Sequence, residues 1–575
     1  MKKFKIVSII LLALVVASGV MFAGCDLLGH THKYPNEHQK NEEGHWKVCQ
    51  ICNYATAEMP HDYDEWVVDV PATETSVGHK YRECTVCGYT QEGTIKRLGA
   101  QQSGTVDLYA INDFHGEYEK LSQISGYIAE RLAEGNTVAL NSGDMFQGSI
   151  QSNSNYGRLF TECMNIAGFD AFTYGNHEFD WGIDNLIDLK KSSKVPFLGA
   201  NIYKWNQNSK TWGGFADDLA EEYVIKELDN GLRVGIIGVI GKDQIKSISS
   251  QLVQTIGFKD PKDIVPNLSN KLRNQLACDV VVVDAHTGPS TFLDDSSWDI
   301  TDYADAVFCA HTHYSEMSMK NGVPFIQGGS SGKYVSHVQL TVEENGNVSC
   351  DGYSNIAYSS LNSVNSYIKE QVQMNIDNSN ERIAEEAEEK IVKLNGYLSK
   401  NEALPRLVCH AIAEYVASQN ITIDVAMCNE ARAYLGSDSR VVDVTYTELY
   451  KALPFDNVIY IARVSGRDLI NEAKYNSMWR VSTKAIENSN TKYYTIAVID
   501  YMLFHQNASR DYNYFQSAFN NGVAPYAVTK SGVDLYHYRL ITRDFMKAQG
   551  TINASLYSET NNHTDANKLT QAVTF

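Results

Sequence analysis

The chain has 575 residues, more than one hydrophobic core accommodates, so two large domains with smaller pieces are expected. Its composition, with 43% hydrophobic residues, is that of a folded protein, and a formal net charge of -20 excludes a broad nucleic-acid-binding face, so no nucleic-acid polymer is expected as a partner. An anionic substrate would need local cations, such as metals, to hold it against this charge.

The first residues, Met1-Lys-Lys-Phe-Lys5, are followed by the apolar run 6–16, the charged start and hydrophobic middle of an export signal. The run ends at Phe22-Ala23-Gly24-Cys25, which resembles the bacterial lipoprotein signal. That resemblance implies a signal peptide over 1–24, lipidation of Cys25 and a membrane partner reached through the lipid anchor, outside the cytoplasm; a plain cleaved signal and an uncleaved anchor are the alternatives.

Residues 25–98 are polar and rich in His, Cys, Trp and Tyr, and read as two degenerate copies of one unit. Gly44-His45 leads to Cys49-Gln-Ile-Cys52, and Gly78-His79 leads to Cys84-Thr-Val-Cys87. Paired C-x-x-C knuckles can place four thiolates around one structural zinc, and a module this small needs a staple. Two disulfides are the alternative, favoured by an exporting compartment. His30, His32, His45, His61 and His79 are further possible ligands, and no protein partner can be read for the module. Six other cysteines, Cys163, Cys278, Cys309, Cys350, Cys409 and Cys428, are scattered singly and read as small core residues, without excluding a disulfide among them.

From 105 to 350, five segments run from apolar residues into short clusters of metal-ligand types. They are Asp113-Phe-His115-Gly116, Asn141-Ser-Gly-Asp144, Gly175-Asn176-His177-Glu178, Asp284-Ala-His286 and Cys309-Ala-His311-Thr-His313. Strands are predicted at 106–111, 137–140, 170–173, 280–283 and 306–310, so each cluster follows a strand's carboxyl end. Amphipathic helices are predicted between them, at 122–132 and at 159–167 with Gly168 as terminator. Strands alternating with helices make an α/β fold of buried sheets flanked by helices, and the ligands of such folds gather beyond the carboxyl ends of the strands. His337, in a strand-like run over 335–342, reads as structural, and Glu178 receives no role.

These motifs resemble the calcineurin-like metallophosphoesterases, and Asn176-His-Glu-Phe-Asp-Trp-Gly182 together with a C-terminal domain resembles the 5′-nucleotidase family in particular. The resemblance implies a metallophosphoesterase β-sandwich flanked by helices, a C-terminal α+β nucleotide-recognition domain, and two divalent metals such as zinc or manganese. It assigns Asp113, His115, Asp144 and His313 to one metal and Asp144, Asn176, His286 and His311 to the other, with Asp144 as the bridge. A water between two such metals ionises near neutral pH and attacks phosphorus in line. His177 is then left to stabilise the transition state or protonate the leaving oxygen, with Asp180 orienting its ring.

Residues 351–400 are expected to be an interdomain helix and linker, on the charged helical pattern over 362–400, with a surface helix of either domain as the alternative. Residues 401–575 read as α+β, with helices at 404–417 and 446–452, strands at 423–427 and 458–464, and a capping box in Thr445-Tyr-Thr-Glu448. Leu453-Pro-Phe455-Asp-Asn457 resembles the family's recognition loop, which implies Phe455 stacking on a base with Asn457 at its edge. Tyr501 falls where the family places a second stacking aromatic, Asp511 near the ribose hydroxyls, and Arg432 near the nucleotide. Around Arg432 and Asp511 this chain lacks the glycines of the family's loops.

Together these readings make an exported two-metal phosphohydrolase acting on nucleoside 5′-monophosphates. The neighbouring alternatives keep the chemistry but change the substrate to UDP-sugars, dinucleotide pyrophosphates or 2′,3′-cyclic nucleotides. A different class is a surface protein that binds zinc or a partner and carries an inactive phosphatase domain.

Overall fold

The computed structural model describes residues 32–557, apart from 53, 74–76, 96–101, 207, 249–251, 476–477, 483–484, 505, 508–511, 514 and 531–533. The expected signal peptide, Cys25, His30 and Asp511 lie outside the described residues. The chain forms two compact units, 1–99 and 100–575.

The first unit contains two three-stranded antiparallel sheets. Gly44–Trp46 pairs with Gln39–Lys40 and Met59–Pro60, and Gly78–Glu83 pairs with Val67–Val70 and Thr90–Ile95. Its buried apolar side chains are Cys49, Ala72 and Cys84 among the described residues, far too few for a hydrophobic core to hold it.

The second unit begins with two six-stranded sheets packed face to face. In the first, Phe197–Leu198, Ala171–Thr173, Thr137–Asn141 and Gly104–Ile111 run parallel, and Tyr334–Val342 and Val348–Ala357 close the edge antiparallel. In the second, Arg233–Ile240, Val280–His286, Ala306–Phe308 and Val323–Gly328 run parallel between the antiparallel edges Tyr223–Glu227 and Ser315–Lys320. Period-two alternation sorts each strand between layers. Val106, Leu108 and Ala110 join Val280, Val282 and Ala306 in the core between the sheets. Tyr109 and Ile111 face outward against helices Leu121–Leu132 and Arg158–Ala167. On the opposite side Val281 and Val283 meet helix Val265–Asn274. Buried on both faces, these strands are almost wholly apolar, as parallel strands must be. Gly168 ends its helix in the left-handed region, with φ 81°. His337 bonds Asp107 at 2.7 Å across the first sheet and stacks on Tyr109.

The helix expected over 362–400 spans Ser366–Ala387 and touches both domains: at its start the Asn365 N–H donates to Gly126 O at 2.9 Å, and at its end Thr447 Oγ1 donates to Ala387 O at 2.8 Å. The expectation is corrected at its two ends. Before the helix the catalytic sheet runs on through Val348–Ala357. Beyond it Lys390–Leu398 is a strand of the C-terminal domain, paired with Leu435–Thr445 and Thr551–Asn553. Ile391, Val392, Leu394 and Leu398 are buried there, so burial of β-branched residues prevails over the Glu-to-Lys spacing that suggested helix.

The C-terminal domain is a five-stranded mixed sheet in the order Met478–Ser482, Val425–Asn429, Tyr493–Ile499, Ile459–Ser465, Tyr526–Ala527. Helix Ala403–Ser418, buried along most of its length, shares a core with this sheet and with helix Tyr538–Gln549. Helix Tyr446–Ala452 starts in a capping box, with both Thr445 and Glu448 bonds present. None of the described helices is long and apolar enough to cross a membrane.

Candidate active site

The five ligand clusters leave the carboxyl ends of Gly104–Ile111, Thr137–Asn141, Ala171–Thr173, Val280–His286 and Ala306–Phe308. Backbone bonds zip the first two loops together: Asp113 N–H donates to Gly143 O (2.9 Å), His115 N–H to Asp144 O (3.0 Å) and Gly116 N–H to Met145 O (2.9 Å). The third loop comes equally close. A Cβ added to Gly175 would lie 2.3 Å from Asp144 Oδ1, so only glycine permits this approach. Asp113, His115, Asp144, His311 and His313 all sit at positive φ, between 50° and 76°. Non-glycine residues rarely adopt this region, and its concentration here aims five donor side chains at one volume at a cost in backbone strain.

The donors fall into two sets joined by a third group, His115, Asp144 and His177, that takes one member from each. Asp113, His115 and His313 converge, with His115 Nε2 2.9 Å from His313 Nε2 and His313 Nε2 3.4 Å from Asp113 Oδ1. Asp144, His286 and His311 form the other, and Asp144 Oδ2 is 3.2 Å from His286 Nε2 and 4.0 Å from His115 Nε2. Asp144 therefore faces both sets.

His286 donates from Nδ1 to Ser142 O at 2.7 Å, which leaves the Nε2 lone pair pointing at a carboxylate. Two acceptors at 3.2 Å require a positive charge between them. Against burial, the carboxylates of Asp144 and Asp113 raise the pKa of His286 to about 10. Asn176 Oδ1, His286 Nε2 and His311 Nδ1 are buried with no hydrogen-bond partner. Such orphaned acceptors, mixed with carboxylates and imidazoles, fit two divalent cations.

His177, beside His115 and Asp144, is held by a carboxylate of its own. Its Nδ1 bonds Asp180 Oδ2 at 2.8 Å, and its backbone N–H donates to Asp144 Oδ1 at 2.8 Å. Burial lowers its pKa, but the Asp180 and Asp144 carboxylates outweigh burial and raise it to about 9, so the ring carries a proton at neutral pH.

A cavity of about 270 Å³ opens from this centre toward the C-terminal domain. Among its lining residues are His177, Asp180, Arg432, Phe455, Asn457 and Tyr501. Phe455 stacks on the His177 ring, with centroids 5.5 Å apart, and the Arg432 guanidinium lies 5.0 Å from the Phe455 centroid. The Phe455 loop is gripped from both domains. Gln147 and Asn153 donate to Pro454 O at 2.7 and 2.9 Å, and Trp181 Nε1 donates to Asp456 Oδ2 at 3.0 Å.

In the first unit the four knuckle cysteines do not gather around one point. They fall into separate sets, His32 with Cys49 and Cys52, and His45 with His61, Cys84 and Cys87. No described cysteine is in a disulfide. The single four-thiolate zinc site read from the C-x-x-C pairs is thus corrected, because His32, His45 and His61 join the cysteines as donors. His79 joins neither set and bonds Asp69 at 2.7 Å.

Sequence reasoning missed three residues. Glu178 is wholly buried and accepts from the N–H groups of Asp144, Met145 and Gly175 at 2.8 Å and Phe146 at 3.3 Å. Arg539, 3% exposed, donates to Leu453 O and Phe455 O at 3.0 Å and pairs with Asp456. No local pattern marks it, since it lies more than 80 positions from its partners. Asp500 lines the cavity, and burial raises its carboxyl to about 7. It follows the apolar strand Tyr493–Ile499, the same strand-to-acid signal that marks the first domain.

A family model described as Calcineurin-like phosphoesterase matches residues 107–315. The chain is 26% identical over 286 residues to an apyrase of Tabanus yao, across 42% of this chain and 49% of that one, so it spans about half the apyrase's length. It is 22% identical over 451 residues to a 5′-nucleotidase of Vibrio vulnificus, across 67% of this chain and 78% of that protein. Its fold matches that of the 5′-nucleotidase precursor from Thermus thermophilus with a TM-score of 0.61 and 17% identity, over 78% of this chain and 97% of that one. Residues 107–315 are a calcineurin-like phosphoesterase domain, and the relatives of the chain in sequence and in fold include 5′-nucleotidases.

Proposed function

We propose that the protein is a two-metal phosphohydrolase that removes phosphate from nucleoside 5′-monophosphates, exported and anchored to the cell envelope through a lipid on Cys25. The observation that carries the chemistry is the convergence of His286 and His311 on the Asp144 carboxylate, with Asn176 Oδ1, His286 Nε2 and His311 Nδ1 buried and without hydrogen-bond partners. Asp113, His115, Asp144 and His313 would hold one cation, and Asp144, Asn176, His286 and His311 the other. Two such cations supply an ionised water at neutral pH and positive charge for the phosphoryl oxygens. The chain's own contribution is to seat the phosphate beside a protonated imidazole: His177, fixed by Asp180, donates its Nε2 proton to the departing oxygen. Phe455 and Tyr501 would hold the base, with Asn457 at its edge, Arg432 near the nucleotide and Asp511 at the ribose. The test is phosphate release across a panel of nucleotides, UDP-sugars and 2′,3′-cyclic nucleotides, with and without chelator. Release from 5′-monophosphates that chelator abolishes supports the reading, and release that ignores chelator overturns it. The mass of the mature N-terminal residue tests the lipid.

Two substitutions separate the roles. His177→Asn is expected to keep the metal content and lower turnover about 10²- to 10⁴-fold, the usual worth of general acid help. Metal loss in step with activity would remove His177 from that role. Phe455→Ala is expected to weaken nucleotide hydrolysis about ten-fold or more, since stacking on a base is worth about 1 to 3 kcal/mol. A phosphoester without a base should change far less, because the bond between Asp180 and His177 holds the imidazole without Phe455. Equal losses on both substrates would assign Phe455 to packing alone.

A further inference from the structure

The donor geometry of the first unit goes beyond a single structural zinc. Its two halves repeat one backbone device. Cys49 N–H donates to Tyr54 O and Cys84 N–H to Tyr89 O, each at 2.8 Å, so both knuckles close the same turn. Gln50 N–H donates to Lys33 O at 2.9 Å and Thr85 N–H to Asp62 O at 2.8 Å, which brings His32 and His61 to equivalent places beside their knuckles. Each repeat thus brings one histidine and two cysteines together. The second gains a fourth donor, because His45 crosses from the first repeat to join His61, Cys84 and Cys87.

The distances suit a tetrahedral ion. Zinc bonds of about 2.3 Å to sulfur and about 2.0 Å to nitrogen put adjacent donors about 3.5 Å apart. Cys87 Sγ lies 3.3 Å from His61 Nδ1, Cys84 Sγ 3.9 Å from His45 Nδ1, and Cys52 Sγ 3.4 Å from His32 Nδ1. A second, independent sign is the orientation of His61. Its Nε2 bonds Asn41 O at 2.8 Å, and a carbonyl only accepts, so Nε2 carries the proton and Nδ1 presents its lone pair to the cysteine. A disulfide gives no use to an imidazole held this way. The near absence of apolar burial in this unit leaves cross-linking by metal as its source of stability.

We infer that the first unit binds two zinc ions, one held by His45, His61, Cys84 and Cys87, and one held by His32, Cys49 and Cys52 among the described residues. The first ion ties the two repeats together.

Cobalt substitution of the full chain tests this, because sulfur-to-cobalt charge-transfer absorption arises only where thiolates bind, and the phosphoesterase donors are oxygen and nitrogen. Titration of metal-free protein with cobalt should build this absorption to the strength of two sulfur-bound equivalents. Cys49→Ser with Cys52→Ser should remove one of them, and Cys84→Ser with Cys87→Ser the other. Phosphate release should persist in both variants. A single sulfur-bound equivalent would overturn the two-site assignment. In the unaltered chain, cysteines of this unit that resist alkylation under denaturing conditions until reductant is added would mark disulfides and overturn zinc altogether. Neither reading depends on the nucleotidase activity, so failure of one is distinguishable from failure of the other.

Discussion

Asp144→Ala is expected to lower phosphoester hydrolysis by roughly 10³-fold or more, the scale at which loss of a preorganised electrostatic group is felt. Three demands meet on this carboxylate. Oδ2 faces His286 at 3.2 Å and His115 at 4.0 Å, one from each donor set, while Oδ1 accepts the backbone N–H of His177 at 2.8 Å. Its removal would strip both proposed cations of a shared ligand and free the loop that carries the proton donor. Metal analysis of the purified variant should show both catalytic equivalents reduced. An Asp144→Ala protein with undiminished turnover would overturn the two-metal reading.

Glu178→Ala should destabilise the phosphoesterase domain by several kcal/mol, a loss comparable with the whole stability of a typical domain. Its carboxylate accepts four backbone N–H groups, from Asp144, Met145, Phe146 and Gly175. Each buried donor left unpaired costs about 1 to 3 kcal/mol, against about 5 to 15 kcal/mol holding a domain together. Glu178→Gln keeps the volume but points an amide N–H₂ at two N–H groups, so it should fall between Ala and the native residue. Denaturant unfolding of the three proteins, with metal content measured beside it, gives the order. Unfolding midpoints that coincide would show that Glu178 holds nothing in place. Because the loop it holds carries Asp144, metal affinity should fall together with stability.

The difference between what could and could not be read in the chain follows the range of the interactions. Strand approaches such as Val280–His286 announce themselves by unbroken apolar runs, and the ligand types after them stand within a few residues, so local pattern and chemistry agree. The capping box at Thr445 and the terminator Gly168 are equally local. Arg539 is the opposite case: its guanidinium fixes the loop that carries Phe455 from 84 positions away, which no spacing rule reaches. Glu178 was in plain view inside a recognised motif, but its work is to bind backbone N–H groups, which a sequence does not display. The segment 390–398 misled because the charged helical pattern before it runs on into Lys390 and Lys393, whereas the burial of the β-branched pair Ile391 and Val392 decides the outcome. In the first unit the spacing of cysteines suggested a pairing that His32, His45 and His61 override.

The left-handed backbone at Asp113, His115, Asp144, His311 and His313 sets a limit on how this domain can be made robust. Strain of about 1 to 3 kcal/mol at each such position is tolerable only while the surrounding structure and the proposed cations offset it. Glycine at any of the five would relax the chain and discard a donor, so stabilising substitutions belong elsewhere in the sheets and helices. Cations that bind only the folded form add about 2.7 kcal/mol of stability at a free concentration a hundred-fold above their dissociation constant. Surroundings that scavenge divalent cations would therefore do more than halt turnover: they would shorten the life of the folded domain itself.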